Sequence, residues 1–114
     1  MIQREGRTAL ANPGANATTA IYDEVNDSSG ARNTRARFRL TLFSDQVVTV
    51  VVEWSESSTG TLRQVSSEVT VASVLFDKDV RLRPGYNKVS LITTTAPTAW
   101  NCASEFVNTA VKDT

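Results

Sequence analysis

Two aspartates that flank one lysine are the residues of this chain whose spacing most directly suggests chemistry. Asp77 and Asp79 lie on either side of Lys78, so their carboxylates would share one face of an extended segment. Such a pair could bind calcium together with backbone carbonyl groups, or it could serve as the paired carboxylates of a glycoside hydrolase. The neighbouring residues lack the spacing of a calcium-binding EF-hand loop. We therefore expect a solvated turn over residues 76–79, with the two chemical interpretations left open.

Arginine recurs at alternate positions upstream of this pair. Arg35, Arg37 and Arg39 would line one face of a strand, and Arg32 lies just before them. Guanidinium groups bind acidic protein surfaces and phosphates, so we predict that the three alternating arginines contact a partner protein. The alternative is a solvated sheet face on which they pair with Asp or Glu of a neighbouring strand. Lys plus Arg and Asp plus Glu number 12 each, and this balance argues against nucleic acid as the partner.

Four tyrosine and tryptophan residues could form a platform for sugar rings, although such side chains are also ordinary core and interface anchors. They are Tyr22, Trp54, Tyr86 and Trp100. Trp54 ends an apolar strand face, which favours the core. Trp100 follows Pro97 near a predicted sheet edge, and we predict that it contacts a partner.

Histidine is absent, and Cys102 is the single cysteine. The chain therefore has no internal disulfide, no Ser-His-Asp or Cys-His catalytic group, and few ways to build a zinc site. Without a histidine partner, Cys102 is expected to be a small buried side chain. We predict no catalytic residue, no cofactor and no metal ion, and we predict that the chain is not an enzyme.

Short runs of β-branched residues, separated by turn residues, occupy most of the chain after residue 17. Residues 35–43 alternate between apolar and polar side chains, and the turn 44–46 leads to an apolar strand over residues 47–54. We expect these two strands to form a hairpin, with the second one central in its sheet and covered on both faces. Further strands are predicted over residues 18–22, 61–65, 68–74, 80–83 and 86–95, while residues 99–111 fit either a last strand or a helical turn.

About eight short strands in one domain predict an all-β antiparallel sandwich, with jelly-roll or immunoglobulin-like topology as candidates. The absence of a Cys-Trp-Cys framework argues against a true immunoglobulin domain. Residues 1–17 are small and polar and show no period, so we predict a flexible N-terminal arm there and the sandwich domain over residues 18–114. We expect no signal peptide and no membrane span.

The segment from residue 47 to residue 100 carries a distinctive order of motifs. A β-run ends in EWS, a glycine-containing turn leads to TLRQVSS, and EVTVASV is followed by DVRLRPGYNKVSLI and then by TAPTAW. This order resembles small jelly-roll decoration or cement proteins of tailed bacteriophage capsids. The resemblance implies a homotrimer that binds the major capsid protein on the capsid surface of the virion, is made in the host cytoplasm, and has no fixed catalytic or cofactor site.

Two other functions are compatible with the same residues. A carbohydrate-binding β-sandwich module would be monomeric and would expose a coplanar strip of aromatic rings. A hydrolase that uses acidic residues would need a convincing carboxylate constellation. A capsid decoration protein would instead be oligomeric or capsid-bound, with its aromatic residues buried at contacts, and this is the function that we predict.

Overall fold

The computed structural model describes residues 2–4, 8–26, 33–57 and 59–110, and it describes side chains over residues 8–25, 37–57 and 59–106. Its strands are β1 (Ile2–Arg4), β2 (Thr8–Leu10), β3 (Ala17–Asn26), β4 (Asn33–Ser44), β5 (Val48–Ser55), β6 (Arg63–Val69), β7 (Phe76–Arg81), β8 (Gly85–Thr93) and β9 (Trp100–Ala110). These ranges contain no helix with the length and hydropathy that a membrane crossing requires.

The strands pair like one long hairpin that has been rolled up. β5 pairs with β6, β4 with β7, β3 with β8, and both β1 and β2 with β9, all antiparallel. Successive pairs fall in alternate sheets, so one sheet has the order β1-β9-β4-β7, with β2 also on β9, and the other has the order β3-β8-β5-β6. This nesting of antiparallel pairs is the jelly-roll form of a β-sandwich, and it confirms the predicted fold class.

The core lies between the two sheets and is built from one face of each. Because successive side chains of a strand point to opposite faces, every second residue of a central strand reaches this layer. In β5 the layer receives Val48, Val50 and Val52, while the residues between them are half-buried. The buried apolar side chains of this layer are Tyr22, Phe38, Leu40, Leu42, Val48, Val50, Val52, Val80, Leu82, Val89, Leu91 and Cys102.

Three aromatic rings join the two sheets at one end of this layer. The ring centroids of Tyr22 and Phe38 are 5.5 Å apart, and Phe106 lies 5.0 Å from Tyr22 and 5.3 Å from Phe38. Tyr22 comes from β3 of one sheet, whereas Phe38 and Phe106 lie opposite each other on β4 and β9 of the other. Aromatic pairs at such separations add to the stability that comes from apolar burial alone.

The structure corrects the predicted hairpin between the strands that flank residues 44–46. β4 and β5 lie in different sheets, so this turn carries the chain from one sheet to the other. β5 is central in its sheet, as predicted, but its outer face is only half-buried rather than covered. Local alternation identified both strands correctly, whereas their partners depend on contacts that are distant in sequence.

Two other segments differ from the sequence-based prediction. Residues 61–74, predicted as two strands, contain the single strand β6 and the first part of a loop. Residues 76–79, predicted as a turn, belong to β7, which is an edge strand and therefore accepts the charged residues that made the segment resemble a turn. The ambiguous last segment is the strand β9 rather than a helical turn.

Two strands of the predicted N-terminal arm, β1 and β2, pair with β9, and Gly14 contacts the end of β8. β2 places Leu10 opposite Cys102, and the hydroxyl of Thr93 donates a hydrogen bond to the carbonyl of Gly14 at 2.6 Å. The strand β1 continues the same edge of β9. The flexibility of residues 1–17 in solution stays a prediction, and residues 1 and 5–7 lie outside the described residues.

We predict that the replacement Leu40→Ala strongly destabilises the fold, because Leu40 is fully buried between the sheets. A truncated leucine at such a site costs about 2 to 5 kcal/mol of unfolding free energy. The matched control is Val25→Ala, at an exposed position of β3, which should change stability by no more than about 0.5 kcal/mol. Chemical denaturation measures both values, and equal effects of the two substitutions would contradict the assignment of the core.

Asp45 forms hydrogen bonds that connect the turn between β4 and β5 to the loop before β9. Its carboxylate accepts hydrogen bonds from the backbone N–H of Thr98, at 3.0 Å, and from the Thr98 hydroxyl. Its own N–H donates to the carbonyl of Ala99 at 3.1 Å. The hydroxyl of Thr98 contributes most to lowering the pKa of Asp45 below its ordinary value of 3.8, and backbone N–H groups add to this effect.

A lowered pKa means that the ionised carboxylate stabilises the folded state. The contribution is complete above the ordinary aspartate pKa and is lost as the pH falls through the lowered value. We predict that Asp45→Asn destabilises the protein near neutral pH and that the difference from the wild type shrinks in strong acid. Denaturation midpoints over a pH series check this, with the exposed Asp77→Asn as the control. A difference that stays constant down to strong acid would contradict the role of the carboxylate.

Candidate interaction surface

A patch of exposed apolar side chains covers β6 and the loop that follows it. Seven large apolar side chains are exposed in the described part of the chain, and six of them belong to this patch. We call it the β6 edge surface, and it consists of Val47, Val65, Val69, Val71, Val74 and Leu75, which are between 45% and 65% exposed. Soluble monomers rarely expose contiguous apolar patches of this kind unless the patch binds something.

Hydrogen bonds hold the loop after β6 against the crossing between β4 and β5. The N–H of Thr70 donates to the carbonyl of Val48 at 2.9 Å, and the N–H of Val48 donates to the Thr70 hydroxyl at 3.0 Å. The N–H of Ser73 donates to the carbonyl of Ser44 at 2.7 Å. These bonds bring Val47 next to the loop valines and fix the loop, so the apolar side chains are presented on a firm support.

The backbone of β6 adds a second reason to expect a contact here. β6 is an edge strand that pairs only with β5 in its sheet, so one row of its N–H and carbonyl groups points away from the protein. Its carboxylate Glu68 forms an ion pair with Lys78 of β7, across the gap between the two sheets. The middle of the edge is therefore nearly neutral in charge.

A small cleft of about 270 Å³ opens beside β6, between the edge strands of the two sheets. Its apolar floor is formed by Val52, Trp54, Val65 and Val80. The indole N–H of Trp54 donates to the carbonyl of Pro84 at 3.0 Å. The cleft also has a polar and charged lining, formed by Ser66, Lys78, Asp79, Arg81, Arg83 and Asn87.

The ring of Trp54 is also restricted by its surroundings. The guanidinium of Arg83 lies 5.8 Å from the ring centroid, which is a cation–π distance. The predicted Pro84-Gly85 turn lies beside the ring, and Gly85 has a φ of 118°. A Cβ atom at Gly85 would approach the carbonyl oxygen of Ser55 to 2.6 Å, so only glycine fits between the turn and the end of β5.

The structure places two of the three predicted contact arginines in ion pairs on the outer face of the other sheet. A guanidinium nitrogen of Arg37 is 3.3 Å from a carboxylate oxygen of Asp79, and one of Arg39 is 3.7 Å from Glu105. Both acidic residues lie on neighbouring strands, as the alternative interpretation of these arginines expects. Their role in partner binding stays a prediction.

A β-bulge lies in the part of β4 that carries the arginines. The register between β4 and β9 shifts between Arg35 and Arg37, where β4 has one residue more than its partner strand. The side chain of Arg35 and all of Arg32 lie outside the described residues.

The remaining predicted residues do not come together into one site. Tyr22 is a core residue, and Trp100 is half-buried against the core, with its indole N–H donating to the carbonyl of Leu10 at 2.9 Å. Asp79 pairs with Arg37, while Asp77 is exposed on the edge strand β7. Within the described ranges, no three His, Cys, Asp or Glu side chains are grouped so that they could hold a metal ion.

Cys102 is buried, as predicted, with 3% of its surface exposed. Burial raises the pKa of its thiol to about 12. A thiol that stays protonated near neutral pH is a poor nucleophile, so Cys102 acts as a small apolar side chain of β9.

Sequence reasoning did not identify the β6 edge surface. The sequence predicted that Val69 and Val71 share a face of one strand. The backbone of both residues would then have been hydrogen-bonded within a sheet. In the structure β6 ends at Val69, and Val71 lies in the loop. The available signal was an excess of valines over what one core requires, but the position of the surplus depends on which strand is at the edge.

The chain matches no protein-family model, and no curated protein is similar enough to be a relative. Its fold is similar to that of the PBSX exported protein XepA, with a TM-score of 0.65 and 16% identity. That match covers all of this chain and 39% of XepA, so the chain spans well under half of that protein. A protein of Bacillus endospore appendages, described as forming disulfide-linked pili, has a TM-score of 0.60 and 17% identity over 97% of this chain and 89% of its own. At these identities the likeness establishes the β-sandwich fold.

Proposed function

We propose that this chain is a non-enzymatic structural protein of a bacteriophage particle, which decorates the capsid surface and stabilises the shell. The observation that carries this proposal is the β6 edge surface, where Val69, Val71 and Leu75 are each more than 60% exposed on a fixed support. An apolar surface of this kind loses its contact with water only in an assembly. The function is therefore association.

The comparisons support the general part of the proposal. One similar fold belongs to an exported protein and the other to a protein of appendages that form pili, so sandwiches of this shape occur outside the cell and in assembled structures. The specific part, a capsid decoration or cement protein, is supported by the motif order between residues 47 and 100. Together they favour a virion-associated location.

The mechanism requires contacts that are repeated by symmetry. Each copy would contribute a modest apolar contact, and many copies on one shell would add their contributions through multivalent binding. The face that carries Arg37 and Arg39 is the proposed contact with the major capsid protein. There each guanidinium could exchange its internal carboxylate for one of an acidic partner, and charges of this type act mainly on association rate.

A carbohydrate-binding module is the second candidate, because the cleft beside Trp54 has an apolar aromatic floor. Arg83 lies at cation–π distance from that ring, and Tyr22 is buried in the core. None of the four predicted aromatic residues is fully exposed, since Trp54, Tyr86 and Trp100 are half-buried, and this disfavours an aromatic platform. The capsid function remains the better supported of the two.

The decisive experiment is to locate the chain on particles from the organism that encodes it. Gold-labelled antibodies should mark capsids in electron micrographs, and capsids that lack the protein should break at a lower temperature, because the cementing contacts are missing. Label confined to filaments or tails, or particles that never contain the chain, would contradict the proposal. Unchanged binding of the Trp54→Ala variant to capsids separates this function from sugar recognition.

The same capsid-binding assay tests the outer sheet face that carries Arg37 and Arg39. Capsid occupancy at low salt should fall for the double replacement of Arg37 and Arg39 by Gln, since screening is weakest there. The matched control is the double replacement of Arg63 and Lys88 by Gln, two cations on strands β6 and β8 of the other sheet. Equal occupancy for both double variants would show that Arg37 and Arg39 serve only their internal ion pairs.

A further inference from the structure

We propose that the β6 edge surface joins two copies of this chain, with β6 of one copy antiparallel to β6 of the other across a two-fold axis. The inference rests on the proposed function, because it names the contact through which the structural protein assembles. Pairing at this edge would join the four strands β3-β8-β5-β6 of each copy into one continuous sheet. It would also satisfy the outward-pointing backbone groups of β6.

The charge of the surface makes it complementary to itself. In a two-fold contact the same patch lies on both sides, so a charged patch would repel its own copy, whereas a neutral apolar patch does not. Glu68 is neutralised by Lys78 within the same chain, and the loop from residue 70 to residue 75 contains no charged residue. The valine side chains of the two copies would therefore meet near the axis, and Arg63, the other charged residue of β6, would lie at the end of the paired strands.

The rest of the described surface offers no other apolar patch that could receive this one. Among the side chains that the structure describes, the single large exposed apolar residue outside the β6 edge surface is Val25, on β3. β3 is the opposite edge of the same sheet. In a head-to-tail contact, the six apolar side chains of one copy would face a surface of the other copy with one exposed apolar residue. In a two-fold contact, the β6 edge surface of one copy is buried against the β6 edge surface of the other.

The small side chains in the middle of β6 would allow a strand of a second copy to approach closely. Ser66 and Ser67 occupy the centre of the strand, and their small side chains let a second strand approach without a steric barrier. The two-fold axis would pass near these serines, with Val65 and Val69 on either side. A two-fold contact produces dimers, whereas the resemblance to decoration proteins implies trimers, so the number of copies tells the two arrangements apart.

Sedimentation of the purified full chain tests the contact. The wild type should form dimers at high micromolar concentration, and Val69→Glu combined with Val71→Glu should weaken dimerisation by roughly a hundredfold or more, because each copy would bury unpaired carboxylates. The control is Val25→Glu, which introduces one carboxylate at a valine that is 53% exposed on the opposite edge and should dimerise normally. Val71→Glu combined with Val74→Glu, with both changes in the loop, repeats the test if a change within β6 disturbs folding.

Crosslinking tests the orientation of the two copies. A cysteine at Ser67 would lie close to its counterpart across the axis, so mild oxidation of Ser67→Cys should yield a covalent dimer. Val25→Cys is the control and should remain uncrosslinked. The natural thiol of Cys102 does not interfere, because burial keeps its pKa at about 12.

Three outcomes would overturn the contact: a wild type that stays monomeric, dimers that survive both glutamate double variants, or equal crosslinking at Ser67→Cys and Val25→Cys. If the wild type is monomeric and the glutamate variants no longer bind particles, the surface binds the particle instead of a second copy. Different results would refute the proposed function and the proposed contact. Dimers that never occur on capsids refute the capsid function alone, and monomers that decorate capsids refute the contact alone.

Discussion

The apolar layer between the two sheets determines where every other feature of this protein lies. Each of its fully buried side chains, such as Leu40 and Leu91, contributes about 1.5 to 3 kcal/mol by leaving water, so the inner faces of β4, β5 and β8 cannot turn outward. The ring cluster of Tyr22, Phe38 and Phe106 then joins β3 to the opposite sheet. Once these faces are fixed, the charged residues of β7 and the surplus valines after β6 must lie at an edge.

The two edges of the sheet that contains β6 have different properties as a result. At the β3 edge, the outer strand has a single exposed large apolar residue among its described side chains, Val25. At the other, the β6 edge surface combines six apolar side chains with an edge strand that pairs with β5 on one side, and Glu68 of this strand forms an ion pair with Lys78. Edge strands usually avoid association through charges, proline or a covering loop. The loop after β6 carries valines instead, so this edge favours association. The packing of the core thus determines which edge of the sheet is available for assembly.

The residue pattern along the chain was enough to predict the all-β sandwich, the central position of β5 in its sheet and the strand that contains Val89 and Leu91. It could not predict strand partners, because pairing depends on contacts far apart in sequence, such as that between Phe38 and Phe106. The short turn before β5 resembles a hairpin turn, yet it crosses between sheets. Asp77 and Asp79 resemble turn residues, yet they lie on an edge strand where Asp79 pairs with Arg37. The bulge between Arg35 and Arg37 likewise has no local signal.

The central claim is that the outer backbone groups of β6 pair with a second copy of the chain. Hydrogen exchange of the β6 amides, measured at low and at high protein concentration, tests this most directly. We predict that amides of residues 63–69 on the side away from β5 exchange more slowly as concentration rises, while exposed amides of β3 exchange at the same rate throughout. Exchange in β6 that is independent of concentration, in a protein that remains folded, would contradict the account.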